Sequence, residues 1–219
     1  MNEHFLQQVQ ATLLTLANPE RANAMRAYMR DQFDYLGVPT PERRSALKPM
    51  LQGLKGAGPA QLIALASALW ELREREYQYA ALDLLNMHSR ELNIADIPAL
   101  LSLVLRKSWW DTVDALATII GDILKGRHEH MDDAIKHGNF WMRRIALLHQ
   151  LGWRGNTDSA RLYSYCLAQA HEKEFFIQKA IGWALRDYSR HAPDEVRAFT
   201  QTNKHILSAL SYREANKHL

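Results

Sequence analysis

Between residues 108 and 114 the chain reads Ser108-Trp109-Trp110-Asp111-Thr112-Val113-Asp114, adjacent indoles flanked by two carboxylates. That is poor material for an ordinary core helix. Trp110 and Asp114 stand at i, i+4, so on a helix they share a face with the ring one turn from the carboxylate. Both groups favour positive charge: the carboxylate by Coulomb attraction, the indole through the negative face of its ring, by about 0.5 to 2 kcal/mol. A site built from them would hold or stabilise a cation. On these residues alone a structural role is the commoner one, since Trp most often packs a core, and an Asp near an Arg is most often an ion pair of up to about 1 kcal/mol when exposed.

These side chains need a scaffold, and the pattern around them is helical nearly from end to end. NEHFLQQVQATLLTL, ERANAMRAYMRDQFDYL, PERRSALKPMLQGL, PAQLIALASALWEL and EYQYAALDLLNMH carry apolar residues at i, i+3, i+4. IPALLSLVLRK, WWDTVDALATIIGDIL, FWMRRIALLHQL, SARLYSYCLAQA, FFIQKAIGWALRDYS and DEVRAFTQT continue the pattern, punctuated by Asn93, Gly126, Gly138, Gly155 and Pro193. No stretch alternates like a strand. EYQYAALDLL, WWDTVDALAT, FWMRRIALLH and FIQKAIGWAL look like versions of one another, and aligning Ala81, Ala115, Ala146 and Ile181 gives a repeat of about 31 to 35 residues. A helix pair cannot bury its apolar stripe alone, so the expectation is an all-α, HEAT-like helical-repeat solenoid with a concave binding surface, one domain over residues 1–219. At about 100° per residue, Trp110, Asp114, Arg144 and Trp183 fall within one arc about 100° wide, away from Ala115 and Ala146.

Composition sets outer limits. At 219 residues and 47% hydrophobic the chain can bury one sizeable core. Net charge is +3 with a pI near 9.0, which permits a basic face but does not establish one. The single cysteine, Cys166, sits in an apolar stretch and excludes a disulfide framework. The N-terminus lacks a secretory pattern, and the longest apolar run, IPALLSLVL, falls short of the roughly 20 residues that span a bilayer. A cytoplasmic protein is expected.

The strings LGVPTPERR (36–44), KSWWDTVD (107–114), WMRR (141–144), KEFFIQKAIGWALR (173–186) and REANKHL (213–219) together resemble the ordered motifs of the AlkD-like DNA alkylation-repair glycosylases. The resemblance runs from the second helix to the C-terminus. It implies release of N3- and N7-alkylated purines, such as 3-methyladenine and 7-methylguanine, from double-stranded DNA, with the lesion left largely within the duplex. It also implies a catalytic carboxylate at Asp114, an aromatic pair at Trp110 and Trp183, a groove arginine at Arg144, and a further groove position at Tyr28.

The residue types suit that chemistry. An ordinary glycosidase needs one carboxyl to protonate the leaving oxygen and another to stabilise the sugar cation. An alkylated purine that is already cationic leaves as a neutral base, so one carboxylate facing the oxocarbenium sugar can suffice, and no cofactor or metal is needed. Arg144 has two possible tasks, holding a phosphate beside the lesion or orienting Asp114, because its planar fork matches either group. Candidate phosphate contacts are Thr40, Arg43 and Arg44, with Thr40 read as the cap of a helix begun by Pro41, and Lys107, Ser108, Lys179 and Arg186. A solvated surface role is open for each.

Two further constellations read as plain surface. His128, His130, Asp132, Asp133 and His137 lack metal-site spacing and are taken as a solvated loop, and Trp70 to Tyr79 as an exposed turn between helices. A groove that admits a duplex suggests a monomer. The competing functions are a non-catalytic protein that binds bent or damaged DNA, and a solenoid whose concave face takes a protein partner.

Overall fold

A computed structural model describes residues 2–219, and among them it contains thirteen α-helices and no strand, a helical-repeat fold. The chain divides into two compact units, Met1–Ala99 and Leu100–Leu219.

The first unit holds α1 (Asn2–Leu14), α2 (Pro19–Tyr28), α3 (Thr40–Gln52), α4 (Pro59–Glu71) and α5 (Arg75–Met87), with α5 packed on α3 and α4, and α1 on the same two helices. Val9, Leu13, Leu47, Leu62, Leu65, Leu69, Leu84 and Leu85 are buried at helical spacing and form its core. Burying each stabilises the fold by about 1.5 to 3 kcal/mol. The sequence pattern extends the second helix to Leu36, whereas α2 stops at Tyr28 and Arg30 and Asp31 turn the chain with φ of 55° and 57°.

The helix ends early because the segment beyond it is claimed by α5. The Glu76 carboxylate accepts backbone N–H bonds from Leu36 at 3.0 Å, Gly37 at 2.8 Å and Val38 at 3.1 Å. Gly37 is required there: its φ is +85°, and a Cβ would lie 2.1 Å from the Asn18 carbonyl oxygen. The exposed turn expected over Trp70 to Tyr79 is therefore corrected. Only its middle is open, with Arg73 paired to Asp34 at 2.7 Å, while Arg75 and Glu76 are wholly buried and the Arg75 guanidinium lies 3.7 Å over the Phe33 ring. High charge density misled the reading because each buried charge has a partner.

The second unit takes in α6 (Ile97–Val104), in which the boundary falls, then α7 (Trp110–Leu124), α8 (Met131–Ala134), α9 (Phe140–Leu148), α10 (Ser159–Ala168), α11 (Phe175–Ser189), α12 (Pro193–Thr202) and α13 (Ala209–Ala215). Helices α7, α9 and α11, which carry three of the four aligned repeat positions, stack in series, and α13 covers α11. Leu116, Ile120, Ile145, Leu148, Ile177, Ala180 and Leu185 fill the seams between them. The short helices α8 and α13 have too few turns to show a periodicity and are absent from the sequence reading.

The expected solvated loop after α7 is corrected at His128 alone, since His130, Asp132, Asp133 and His137 are exposed. His128 shares a 2.9 Å hydrogen bond between ring nitrogens with the fully buried His149, both rings pack on Trp153, and Asp132 accepts from Tyr165 at 2.6 Å and from Arg161. Among the described residues, no group of three or more His, Cys, Asp or Glu converges as a metal site would require. Cys166 is buried, and burial pushes its thiol well above the ordinary range.

Candidate active site

Three helix starts in the second unit bring the candidate residues together. Before α7, Lys107 takes φ of 49° and the Ser108 hydroxyl donates to the Val104 carbonyl, which closes α6 and turns the chain. Trp109 is then the extended N-cap residue, Trp110 opens α7, and Asp114 follows one turn later on the same face. On α9, the Asn139 side chain accepts the Trp141 N–H at 2.8 Å, and Arg144 lies one turn inside. On α11, Glu174 accepts the Phe176 N–H at 3.2 Å, and Trp183 lies two turns further on.

Arg144 is 1% exposed and donates every arm of its fork. Nε reaches Asp114 Oδ1 at 2.7 Å, Nη2 reaches Asp114 Oδ2 at 2.7 Å, and Nη1 donates to the Phe176 carbonyl oxygen. This decides between its two possible tasks, because an arginine spent on a carboxylate and a carbonyl has to break those bonds before it can hold a phosphate. Arg144 orients the carboxylate. Its guanidinium also lies 5.3 Å from the Trp183 ring centroid, so Asp114, Arg144 and Trp183 form one contact set contributed by three successive repeats.

The Asp114 side chain remains 21% exposed, so a carboxylate fixed from behind still reaches solvent. Burial pushes its carboxyl above the usual carboxylate range, against the opposite pull of the hydrogen bonds and charge of Arg144, while Asp111 adds a smaller upward push. An apolar wall stands beside the pair: the Trp109 ring centroid is 5.1 Å from that of Phe176 and 5.9 Å from that of Trp141. Chemically, the arrangement offers one oriented negative charge, with Trp110 one turn away on the same helix and Trp183 against its arginine partner.

Beyond Trp183 lies a second charged set. Glu214 of α13 accepts the Trp183 indole N–H at 3.3 Å and pairs with Lys179 at 2.9 Å and Arg186 at 3.0 Å. Helix α13 comes this close because α11 has a glycine at 182, where a Cβ would lie 2.4 Å from Glu214 Cβ. Sequence reasoning missed Glu214 and Phe176. Phe176 acts through its backbone, which no residue type announces, whereas Glu214 stood in view within REANKHL.

The candidate phosphate contacts fare unevenly. Tyr28 ends α2 and is 73% exposed. Thr40 is exposed but caps nothing: Pro39 is the N-cap residue of α3, and the Thr40 hydroxyl accepts from Arg43 at 3.4 Å. Proline's fixed φ suits the position before the first turn, which moves the helix start one residue earlier. Arg43 is 4% exposed and bound to Asp83 at 3.0 Å, so it is a structural ion pair rather than a surface cation. Arg44 uses the other Asp83 oxygen at 2.8 Å with its side chain 63% exposed, and it is the better placed of the two. The Ser108 hydroxyl is committed to Val104, Lys179 and Arg186 to Glu214, and Lys107 is half-buried.

A stacked helical-repeat chain with a carboxylate clamped between repeats and aromatic rings beside it is the class these observations define. Residues 9–219 match the family model described as DNA alkylation repair enzyme. The chain belongs to that family. A solved structure described as a predicted DNA alkylation repair enzyme from Enterococcus faecalis is 35% identical, with a TM-score of 0.86 over 93% of this chain and 96% of that one. AlkD2 from Streptococcus mutans, at 18% identity and a TM-score of 0.62 over 78% and 87% of the two chains, shares the fold. So does smu.31 from Streptococcus mutans UA159, at 19% identity and a TM-score of 0.61 over 78% and 90%. No curated protein matches the chain. Among the described residues, no helix is long and apolar enough to cross a membrane.

Proposed function

We propose that this chain is a monofunctional DNA glycosylase that, as a monomer, hydrolyses the N-glycosidic bond of cationic N3- and N7-alkylpurines in duplex DNA. The observation that carries the reading is the Asp114 carboxylate, held at both oxygens by a buried arginine that also packs on the Trp183 ring, with its side chain still 21% exposed. Asp83, held between two arginines, is by contrast 10% exposed.

In the proposed reaction, the bond between the sugar C1′ and the base nitrogen breaks with its electron pair going to the base. The base loses its positive charge and leaves neutral. The sugar becomes an oxocarbenium ion, which the fixed charge of Asp114 stabilises without the reorganisation that water would need. Water then adds at C1′ and gives up a proton to Asp114 or to solvent, leaving an abasic sugar. Trp110 and Trp183 attract the cationic base and the cationic sugar through their π faces, which selects for charge rather than for base identity. A carboxylate reached from the sugar side does not require the base to be flipped into a pocket.

The test is base release from a duplex carrying one 7-methylguanine, with the native chain and Asp114→Asn compared at enzyme in excess. Loss of the one oriented charge should slow release about 10²- to 10³-fold, with little loss of DNA binding. Undiminished release by the Asn variant would refute the role of Asp114. Duplex binding by the native chain, with no release from any alkylated substrate, would assign it instead to a DNA-structure-binding role.

A further inference from the structure

Trp183 can attract a cation only if its ring is presented at the correct angle, and an indole half-exposed on a helix is otherwise free to turn about χ2. Its one polar atom fixes it: Nε1 donates to Glu214 Oε2 at 3.3 Å. Glu214 does not compete for that bond with mobility of its own, because Lys179 holds Oε1 at 2.9 Å and Arg186 holds Oε2 at 3.0 Å, and its side chain is only 13% exposed. The Lys179 hydrogen bond, then its charge, keep the Glu214 carboxyl below the usual range, so it is ionised whenever the site can work.

We infer that Glu214 is a positioning residue, which sets the plane of the Trp183 indole and restrains two cations, Lys179 and Arg186, that would otherwise be available to phosphate. The inference rests on the glycosylase reading for its effect on rate, but not for its effect on the indole. The close approach of α13 at Gly182 serves this contact, since any side chain there pushes Glu214 away. Lys179 lies 5.4 Å from the Trp183 centroid and Arg144 lies 5.3 Å from it, so the ring already sits between protein cations. With both cations already over the ring, an untethered indole would be free to change its tilt and lose the angle at which its remaining face meets the lesion.

Two conservative variants separate positioning from charge. E214Q keeps an acceptor at the same reach but loses the charge, and E214D keeps the charge but withdraws the acceptor by one methylene. The chain is labelled with 5-fluorotryptophan, the Trp183 signal among six tryptophans is assigned through W183F, and single-turnover release is measured beside DNA affinity against salt. Positioning predicts a native Trp183 fluorine resonance and release within about 3-fold of native for E214Q, against a shifted or broadened resonance and about 10-fold slower release for E214D. E214Q should also bind undamaged duplex at least as tightly as the native chain, with the logarithmic salt slope steeper by about 1 to 2 as two cations are freed.

The reverse order, with E214D near native and E214Q slow, would overturn the inference in favour of a charge role. An unmoved Trp183 resonance in E214D, or a moved one without slower release, would overturn it equally. So would a parallel fall in rate and affinity in E214D, which marks general loss of structure. If the native chain releases no base at all, the glycosylase reading fails by itself, and the resonances of the two variants alone decide whether Glu214 fixes the indole.

Discussion

Replacing Arg144 with methionine removes the cation behind Asp114 while keeping most of the side-chain volume, and the burial of the pair sets the cost. Arg144 is 1% exposed and Asp114 21% exposed, so the loss leaves a carboxylate in a low-dielectric site without its partner. Breaking a buried pair this way costs about 3 to 5 kcal/mol. The carboxylate can escape by taking up a proton. Its carboxyl is already raised by burial, and deleting the two bonds and the charge that oppose this raises it further. A folded-state pKa above the unfolded value near 3.9 means the folded form holds the proton longer. Stability is therefore greatest below the unfolded value and is lost as pH rises through the folded one. The stability gap between Arg144→Met and the native chain should be small near pH 4 and widen toward neutrality. The acid limb of the rate profile should move to higher pH in the variant, since the proposed release needs the ionised carboxylate. Urea unfolding at several pH values, with single-turnover release at the same values, checks both. A gap constant across that range, or an acid limb that moves to lower pH, would refute the claim that Arg144 sets the ionisation of Asp114.

Buried polar groups elsewhere give two further expectations. Glu76→Gln removes the charge that accepts three backbone N–H bonds and can satisfy fewer of them, so it should destabilise the first unit by about 2 to 4 kcal/mol, read as a lower urea midpoint. His149 has its pKa lowered by burial to about 4, so the stability it contributes is present above about 6.5 and lost as pH falls toward 4, by about 3 kcal/mol. Denaturation of the native chain and His149→Gln at pH 7.5 and 5 should show the steeper loss in the native protein, and parallel behaviour would count against this.

Long helices were readable because their apolar period states which face is buried, as in α7, where Val113, Leu116, Ala117, Ile120 and Leu124 recur at helical spacing. Reading failed where charge was equated with exposure. Glu76 and Arg75 lie in the most charge-dense stretch of the chain and are wholly buried, because their partners, three amides near residue 37 and the Phe33 ring, are distant in sequence. The same cause moved Arg43 from candidate DNA contact to interior: nothing near it announces Asp83, forty residues on. In the site, the shared face of Trp110 and Asp114 was legible, since it needs only i, i+4 geometry. Which of its two tasks Arg144 performs was not, because that depends on the Phe176 carbonyl and on a distance between two helices.

The same contrast bears on what distinguishes a site from a scaffold in this chain. Two carboxylates of the first unit are closed: Glu76 accepts from three amides and is wholly buried, and Asp83, between Arg43 and Arg44, is 10% exposed. Asp114 is held as firmly, by a bidentate fork that is itself inaccessible, yet it keeps twice the exposure of Asp83. The chain shows at Glu76 and Asp83 that it can cover a partnered carboxylate more completely, so the exposure of Asp114 is not a limit of the fold. Desolvating Arg144 has a free-energy cost that a water-screened carboxylate offsets only in part. That cost is intelligible if the open side receives something positive, and a deoxyribose losing a cationic base is a group of the right charge, formed only in the transition state.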